Sequence, residues 1–114
     1  MRSIGNYGES VAVQYLTSMG HQIVKRNFYT RFGELDIISR SNNRLHVIEV
    51  KYVSRSYIHS SYKLNRKKRR RMIQCTQLFL DQFKLTNVYV QFDLIIITNN
   101  QVNHTQNIFN VSDV

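Results

Sequence analysis

The stretch that decides the fold is GELDIISRSNNRLHVIEVK, Gly33 to Lys51. Two apolar runs with period-two character flank Ser41-Asn42-Asn43, a pattern that predicts two strands joined by a tight turn. Asparagine tolerates the left-handed backbone of the primed turns that close two-residue hairpins. A turn at Asn42-Asn43 sets Ser41 opposite Arg44, so the position numbers of every cross-strand pair sum to 85. Asp36 then falls opposite Glu49, and Glu34 opposite Lys51. Period two puts these four side chains on one face and Leu35, Ile37, Ile48 and Val50 on the other. We expect the apolar face to join the core and the polar face to gather three carboxylates and an amine. Opposed side chains have Cβ atoms about 4.5–5.5 Å apart, and two carboxylates held that close repel unless a cation or proton lies between them. A solvated face with a Glu34–Lys51 ion pair would leave the Asp36–Glu49 pair unexplained. A site for a hard cation, Mg²⁺ or Mn²⁺, accounts for it.

Outward from the hairpin, Asn6 to Met19 reads as a helix. Asn6 with Glu9 fits a capping box, Ala12, Leu16 and Met19 form an apolar stripe with Val13 beside it, and Gly20 is the stop. Glu9 lies on the inward stripe, and Gly8 beside it permits close approach of another backbone. Two readings of Glu9 stand: it closes the capping box, or it adds a fourth carboxylate to the cation site. His21 to Tyr29 reads as extended and Ser54 to Tyr62 as a polar loop. A long helix is expected over Leu64 to Phe83, with Met72, Ile73, Thr76, Phe79, Leu80 and Phe83 on one face. Val88 to Thr98 reads as a strand buried on both faces, and Gln106 to Val111 as an edge strand. The expected fold is α/β, in the order α-β-β-β-α-β-β, with a central mixed sheet flanked by helices.

Composition narrows the function. The 114 residues suit a single domain, and 16 Lys and Arg against 7 Asp and Glu give a formal charge of +9. Such a balance points to a polyanion: nucleic acid first, an anionic membrane second. With one cysteine, Cys75, neither an internal disulfide nor a cysteine-rich zinc site forms; its helical apolar neighbours make it core. No apolar run nears the ~18 residues of a membrane span, and the N-terminus lacks the apolar core of a secretory signal, so a cytoplasmic protein is expected. The basic residues are concentrated: nine lie between Lys51 and Arg71, and no acid occurs between Glu49 and Asp81. Arg66, Lys67, Lys68, Arg69, Arg70 and Arg71 open the second helix, where positive charge opposes the helix dipole and repels itself. Bound phosphates relieve both penalties. Lys63 and Arg55 extend the tract, Tyr57 offers a ring for sugars or unpaired bases, and Lys68 and Arg69 continue the apolar helix face toward a central groove. His21, His46, His59 and His104 lack metal-ligand spacing and read as scattered. Asp93, inside an apolar run, reads as a structural hydrogen-bonding residue.

Asp36 followed by Glu49-Val50-Lys51 is the D…E-x-K constellation of the PD-(D/E)xK nucleases. Together with Gly8-Glu9, Ala12, Tyr15, Leu16, Arg26-Asn27, Gly33 to Ile38, Val47 to Lys51, Lys68, Arg71-Met72 and Phe92-Asp93, it resembles the YraN family, which is endonuclease-like and similar in fold to archaeal Holliday-junction resolvases. The resemblance implies a restriction-endonuclease-like core with the metal site on the hairpin. It implies Glu9, Asp36, Glu49 and Lys51 as the active-site set, with Val50 lending its carbonyl to the metal and Glu34 accessory. It further implies Mg²⁺- or Mn²⁺-dependent cleavage of DNA, RNA being an open alternative, and a two-fold dimer for paired cuts. A non-catalytic nucleic-acid-binding module on the same fold is the rival. Two departures bear on substrate engagement: Val53 stands where the family often has arginine, and Ser54 to Tyr62 holds no glycine.

Overall fold

A computed structural model describes the backbone of residues 3–53, 64–99 and 101–111, with side chains from Tyr7 onward. The order is α1 (Ser3–Ser18), β1 (Gln22–Thr30), β2 (Gly33–Ser41), β3 (Arg44–Val53), α2 (Arg66–Gln82), β4 (Tyr89–Thr98) and β5 (Gln101–Phe109). This is the α-β-β-β-α-β-β pattern expected. The strands form one sheet in the order β1-β2-β3-β4-β5. Pairing is antiparallel except between β3 and β4, which run parallel across the α2 crossover.

From the turn as far as Ile37 and Ile48 the hairpin register is the expected one, but the pairing ends there, before the expected Asp36–Glu49 and Glu34–Lys51 pairs. Ser41 pairs Arg44 and Ile37 pairs Ile48, and Asn42 and Asn43 take φ of 53° and 62°, the left-handed pair a primed turn requires. Asn99 repeats the device with φ 50°: Thr98 pairs Gln101, so β5 begins at Gln101 rather than at the expected Gln106. The polar run from Gln101 hid that start, because an edge strand needs no apolar alternation.

The helix ends follow backbone hydrogen-bond demand. Gly20 (φ 91°) lets its N–H donate to Thr17 O and the His21 N–H to Leu16 O, a Schellman stop. At the other end α1 starts at Ser3, so Asn6 lies inside the helix and the capping-box reading is corrected. In α2, Asn65 caps the helix by accepting from Lys68 N–H.

Both sheet faces are covered. Ala12 and Leu16 of α1 pack on Ile37, Ile48, Ile95 and Ile97. Met72, Cys75 and Phe79 of α2 pack with Ile38, Leu45, Val47, Leu94 and Ile96. Met19 stays outside, 60% exposed. The polar side of the hairpin is not left to solvent, the alternative the Asp36–Glu49 pair argued against: α2 covers the face that carries Glu49. Leu35 also leaves its expected face, joining the α2 side while Ile37, two residues on, joins the α1 side. The cause lies between them. Asn27 (φ 54°) faces Asp36 between the pairs Arg26↔Ile37 and Phe28↔Leu35. A left-handed residue inside a strand twists the ribbon, and the next side chains change faces.

At Gly8, α1 comes close to β3: a Cβ added there would lie 3.2 Å from Tyr52 Cβ. Gly8→Val forces the helix off the strand and should lower stability by about 1–3 kcal/mol, read as a fall in Tm. An unchanged Tm would mean that α1 is not held by this approach.

Candidate metal centre

Backbone pairing between β2 and β3 stops at Ile37↔Ile48. One residue further, the Asp36 side chain takes over: its Oδ2 accepts from the Val50 N–H at 2.9 Å. The carboxylate is thus fixed in the fork where the two strands part. Gly8's close approach brings the next helical residue, Glu9, over this fork, and Glu9 is 4% exposed. Glu9 therefore points inward and closes no capping box. Carboxylate oxygens of Glu9, Glu34 and Asp36 lie within 4.8 Å of one another, and Glu9 Oε1 and Glu34 Oε2 are sealed from solvent. Ligands on opposite sides of Mg²⁺ sit about 4.2 Å apart, twice its ~2.1 Å bond length, so the spacing and the all-oxygen donor set suit a hard divalent ion. Glu34, accessory in the sequence reading, is part of this triplet.

Glu49 stands beside the triplet on β3. It is buried and paired to Lys68 Nζ at 3.2 Å, which brings the start of α2 to the site. The combined electrostatics fall on Asp36. Burial raises its pKa most, Glu49, Glu9 and Glu34 add repulsion, and the Val50 N–H offsets only part, leaving it at about 8. Without a cation, Asp36 therefore keeps a proton at neutral pH. Lys51 is exposed, two residues beyond Glu49.

The basic tract divides. Arg66, Lys67, Arg70 and Arg71 are exposed, whereas Lys68 and Arg69 are half-buried, as the helical period dictates. Arg69 Nη1 donates to Leu64 O at 2.8 Å, and its guanidinium lies 6.0 Å from the Phe109 ring. Lys68 and Arg69 thus serve the protein's own packing as well as its charge. Arg55, Tyr57, His59 and Lys63 lie outside the described residues.

Homology now bears on this arrangement. The model of the family described as Uncharacterised protein family UPF0102 matches residues 8–97, a span that takes in Glu9, Glu34, Asp36, Glu49 and Lys51. The chain belongs to that family. A UPF0102 protein of Persephonella marina is 37% identical over 108 residues, covering 94% of this chain and 93% of the relative. One from Campylobacter fetus is 35% identical over 104 residues, 91% of each chain, and one from Campylobacter jejuni subsp. jejuni is 36% identical over the same length and shares. This is the group to which the sequence resemblance pointed.

In this UPF0102 chain, two groupings escaped sequence reading. Lys68 pairs with Glu49 across a sequence gap that only the α2 packing closes; its place on the apolar helix face was the available signal. The histidines are not scattered. His21 and His46 have ring centroids 4.6 Å apart, and His46 and His104 both reach Asp93 at 2.9 Å. Asp93 itself is fully buried and fourfold hydrogen-bonded, the structural role its position suggested. Among the described residues, no helix is long and apolar enough to cross a membrane.

Proposed function

We propose that this chain is a divalent-metal-dependent nuclease acting on phosphodiester bonds of DNA, including branched or structured DNA. The observation that carries the reading is the convergence of Glu9, Glu34 and Asp36 carboxylates within 4.8 Å beside a basic helix start. A divalent cation held there supplies Lewis-acid chemistry, neutralising charge on the phosphate and acidifying water. Glu9, Glu34 and Asp36 would hold it, and Asp36 would have to be ionised to do so. Lys68 holds Glu49 beside them through their ion pair. Lys51, on the same strand two residues on, is placed to meet negative charge developing on the phosphate. Arg66, Lys67, Arg70 and Arg71 bind backbone phosphates without reading sequence.

The test incubates branched, nicked and single-stranded DNA with Mg²⁺ or Mn²⁺. Cleavage is expected from the wild type and lost in Asp36→Ala and Glu49→Ala; cleavage that survives in both sinks the mechanism. The Lys68–Glu49 ion pair favours a second reading, a non-catalytic nucleic-acid-binding module, because it already neutralises a carboxylate that the D…E-x-K pattern gives to the metal. That reading predicts metal-independent, salt-sensitive DNA binding with no cleavage.

The division of the basic tract gives a separate expectation. Lys67→Ala and Arg70→Ala should each reduce the slope of log affinity against log salt by about 0.9 for every phosphate the side chain had neutralised. Lys68→Ala should change that slope less, its ammonium being engaged with Glu49. Equal changes in all three would contradict the division.

A further inference from the structure

At the other end of α1 from Glu9, a cavity of about 370 Å³ is lined by Tyr15, His21, Arg44, His46, His104 and Gln106, among others. No acid lines it. Behind it lies Asp93, and both its oxygens are used. Oδ2 accepts from His46 Nδ1 and His104 Nε2, and Oδ1 accepts from Gln91 Nε2 and the Asn107 N–H. Those four bonds hold Asp93 well below the usual carboxylate range, so it is ionised and each histidine nitrogen facing it carries the proton. His46 is thereby fixed with its proton on Nδ1 and its Nε2 left to the cavity it lines. The second nitrogen of His104 is covered by the Tyr15 hydroxyl at 3.0 Å. His21 Nδ1 meets Ser39 Oγ at 2.8 Å, which leaves its Nε2 for the cavity as well. Arg44 adds a guanidinium, oriented by Gln91 Oε1 at 2.9 Å and by the Tyr89 ring, 4.6 Å away.

The wall is thus rich in donor groups around one guanidinium, and the carboxylate behind it, Asp93, is already satisfied. We propose that this cavity binds a phosphate group, held by Arg44, His21 and His46, with a proton taken up on His21 as it binds. Its volume lies at the small end of ligand sites. A guanidinium fork and an imidazole from β3, with a second imidazole from the connection between α1 and β1, match a tetrahedral oxyanion better than a cation, which Arg44 would repel. The proton follows from the groups facing His21. Burial and the neighbouring His46 and His104 lower its pKa, and Asp93 offsets this only in part; Tyr15 stays neutral, its own pKa raised. An anion between His21 and Arg44 supplies the missing negative charge. The phosphate could come free in solution or as the terminal phosphate of a DNA end, and the two share the same recognition chemistry. This site is independent of the carboxylate cluster.

The experiment titrates inorganic phosphate, and then sulfate, into the full-length protein while histidine ring resonances are followed by NMR. Sulfate keeps one charge state from about pH 5.5 to about pH 8, so any pH dependence belongs to the protein. Both ions are expected to move the His21 and His46 signals. Sulfate affinity should fall up to about tenfold per pH unit above the His21 pKa, the slope of one linked proton. Arg44→Gln should weaken binding at least about tenfold, as removal of one charge-assisted hydrogen bond does. Asp36→Asn should leave it unchanged. A 5′-phosphorylated duplex that displaces sulfate where its unphosphorylated twin does not marks the DNA end as the source; displacement by neither marks free phosphate. Sulfate binding that is flat with pH, or unaltered in Arg44→Gln, overturns the proposal. So does a response of these histidines to Zn²⁺ alone with none to phosphate or sulfate.

Discussion

Asp36→Asn is expected to stabilise the protein at pH 8 in the absence of metal while sharply reducing its metal-dependent cleavage. Asp36 in the fold holds its proton up to about pH 8, whereas in the unfolded chain it loses it near pH 4. Between those values the native state binds the extra proton, so wild-type stability falls as pH rises through this window. Above it, a carboxylate anion is forced beside Glu49, Glu9 and Glu34. The asparagine oxygen can still accept from Val50 N–H, and no charge is buried. The gain at pH 8 should be roughly 2–5 kcal/mol, because each pH unit separating the folded and unfolded pKa values is worth about 1.4 kcal/mol. Thermal melts in chelator across this pH range should show the wild-type curve declining and the variant curve flatter. Added Mn²⁺ should raise only the wild type. Cleavage should drop by about 10²–10³-fold, since a cation contributes several kcal/mol to such transition states. A variant less stable than wild type at pH 8 would show that the carboxylates do not repel.

Asp93→Ala should produce the opposite effect on stability. It removes the common acceptor of His46, His104, Gln91 and the Asn107 N–H and leaves those donors buried. Breaking such a buried set costs about 3–5 kcal/mol, a large part of the roughly 5–15 kcal/mol that holds a domain together. The pH signature differs as well. Asp93 is held below its unfolded pKa, so its contribution is complete above about pH 4 and lost as pH falls through the acid range. Wild type should therefore converge on the variant at low pH, read from denaturant midpoints at several pH values. Separately, the lowered pKa of His21 removes stability as pH falls below about 6.5, its unfolded value. Equal stability of wild type and Asp93→Ala at neutral pH would refute the structural role of this carboxylate.

The hairpin was legible because one turn sets its register: two asparagines in left-handed backbone tie Ser41 to Arg44, and the pairs as far as Ile37 and Ile48 follow by counting. Glu9 was legible because helical spacing alone puts it inward with Ala12 and Leu16. The fork at Asp36 was not, because it depends on a single left-handed residue, Asn27, in a run that otherwise reads as ordinary strand. That kink turns Leu35 to the other face and opens the strands just where the carboxylates gather. Alternation in the hairpin separated a polar face from an apolar one, but local pattern carries no information about α2, which closes over the polar face and brings Lys68 to Glu49. The histidine cavity was hidden for the same reason. His46 and Asp93 are 47 residues apart, and only the parallel pairing of β3 with β4 and the return of β5 bring the rings together. Solitary histidines have no spacing to betray them.

The central claim is that Glu9, Glu34 and Asp36 form a divalent-cation site. Isothermal titration of Mn²⁺ into the metal-free protein at pH 7, repeated in buffers of different ionisation enthalpy, tests it most directly. We expect saturable binding to the wild type with release of close to one proton from Asp36, and no binding to Asp36→Asn. Mn²⁺ binding of equal strength to wild type and Asp36→Asn, or none to either, would contradict the account.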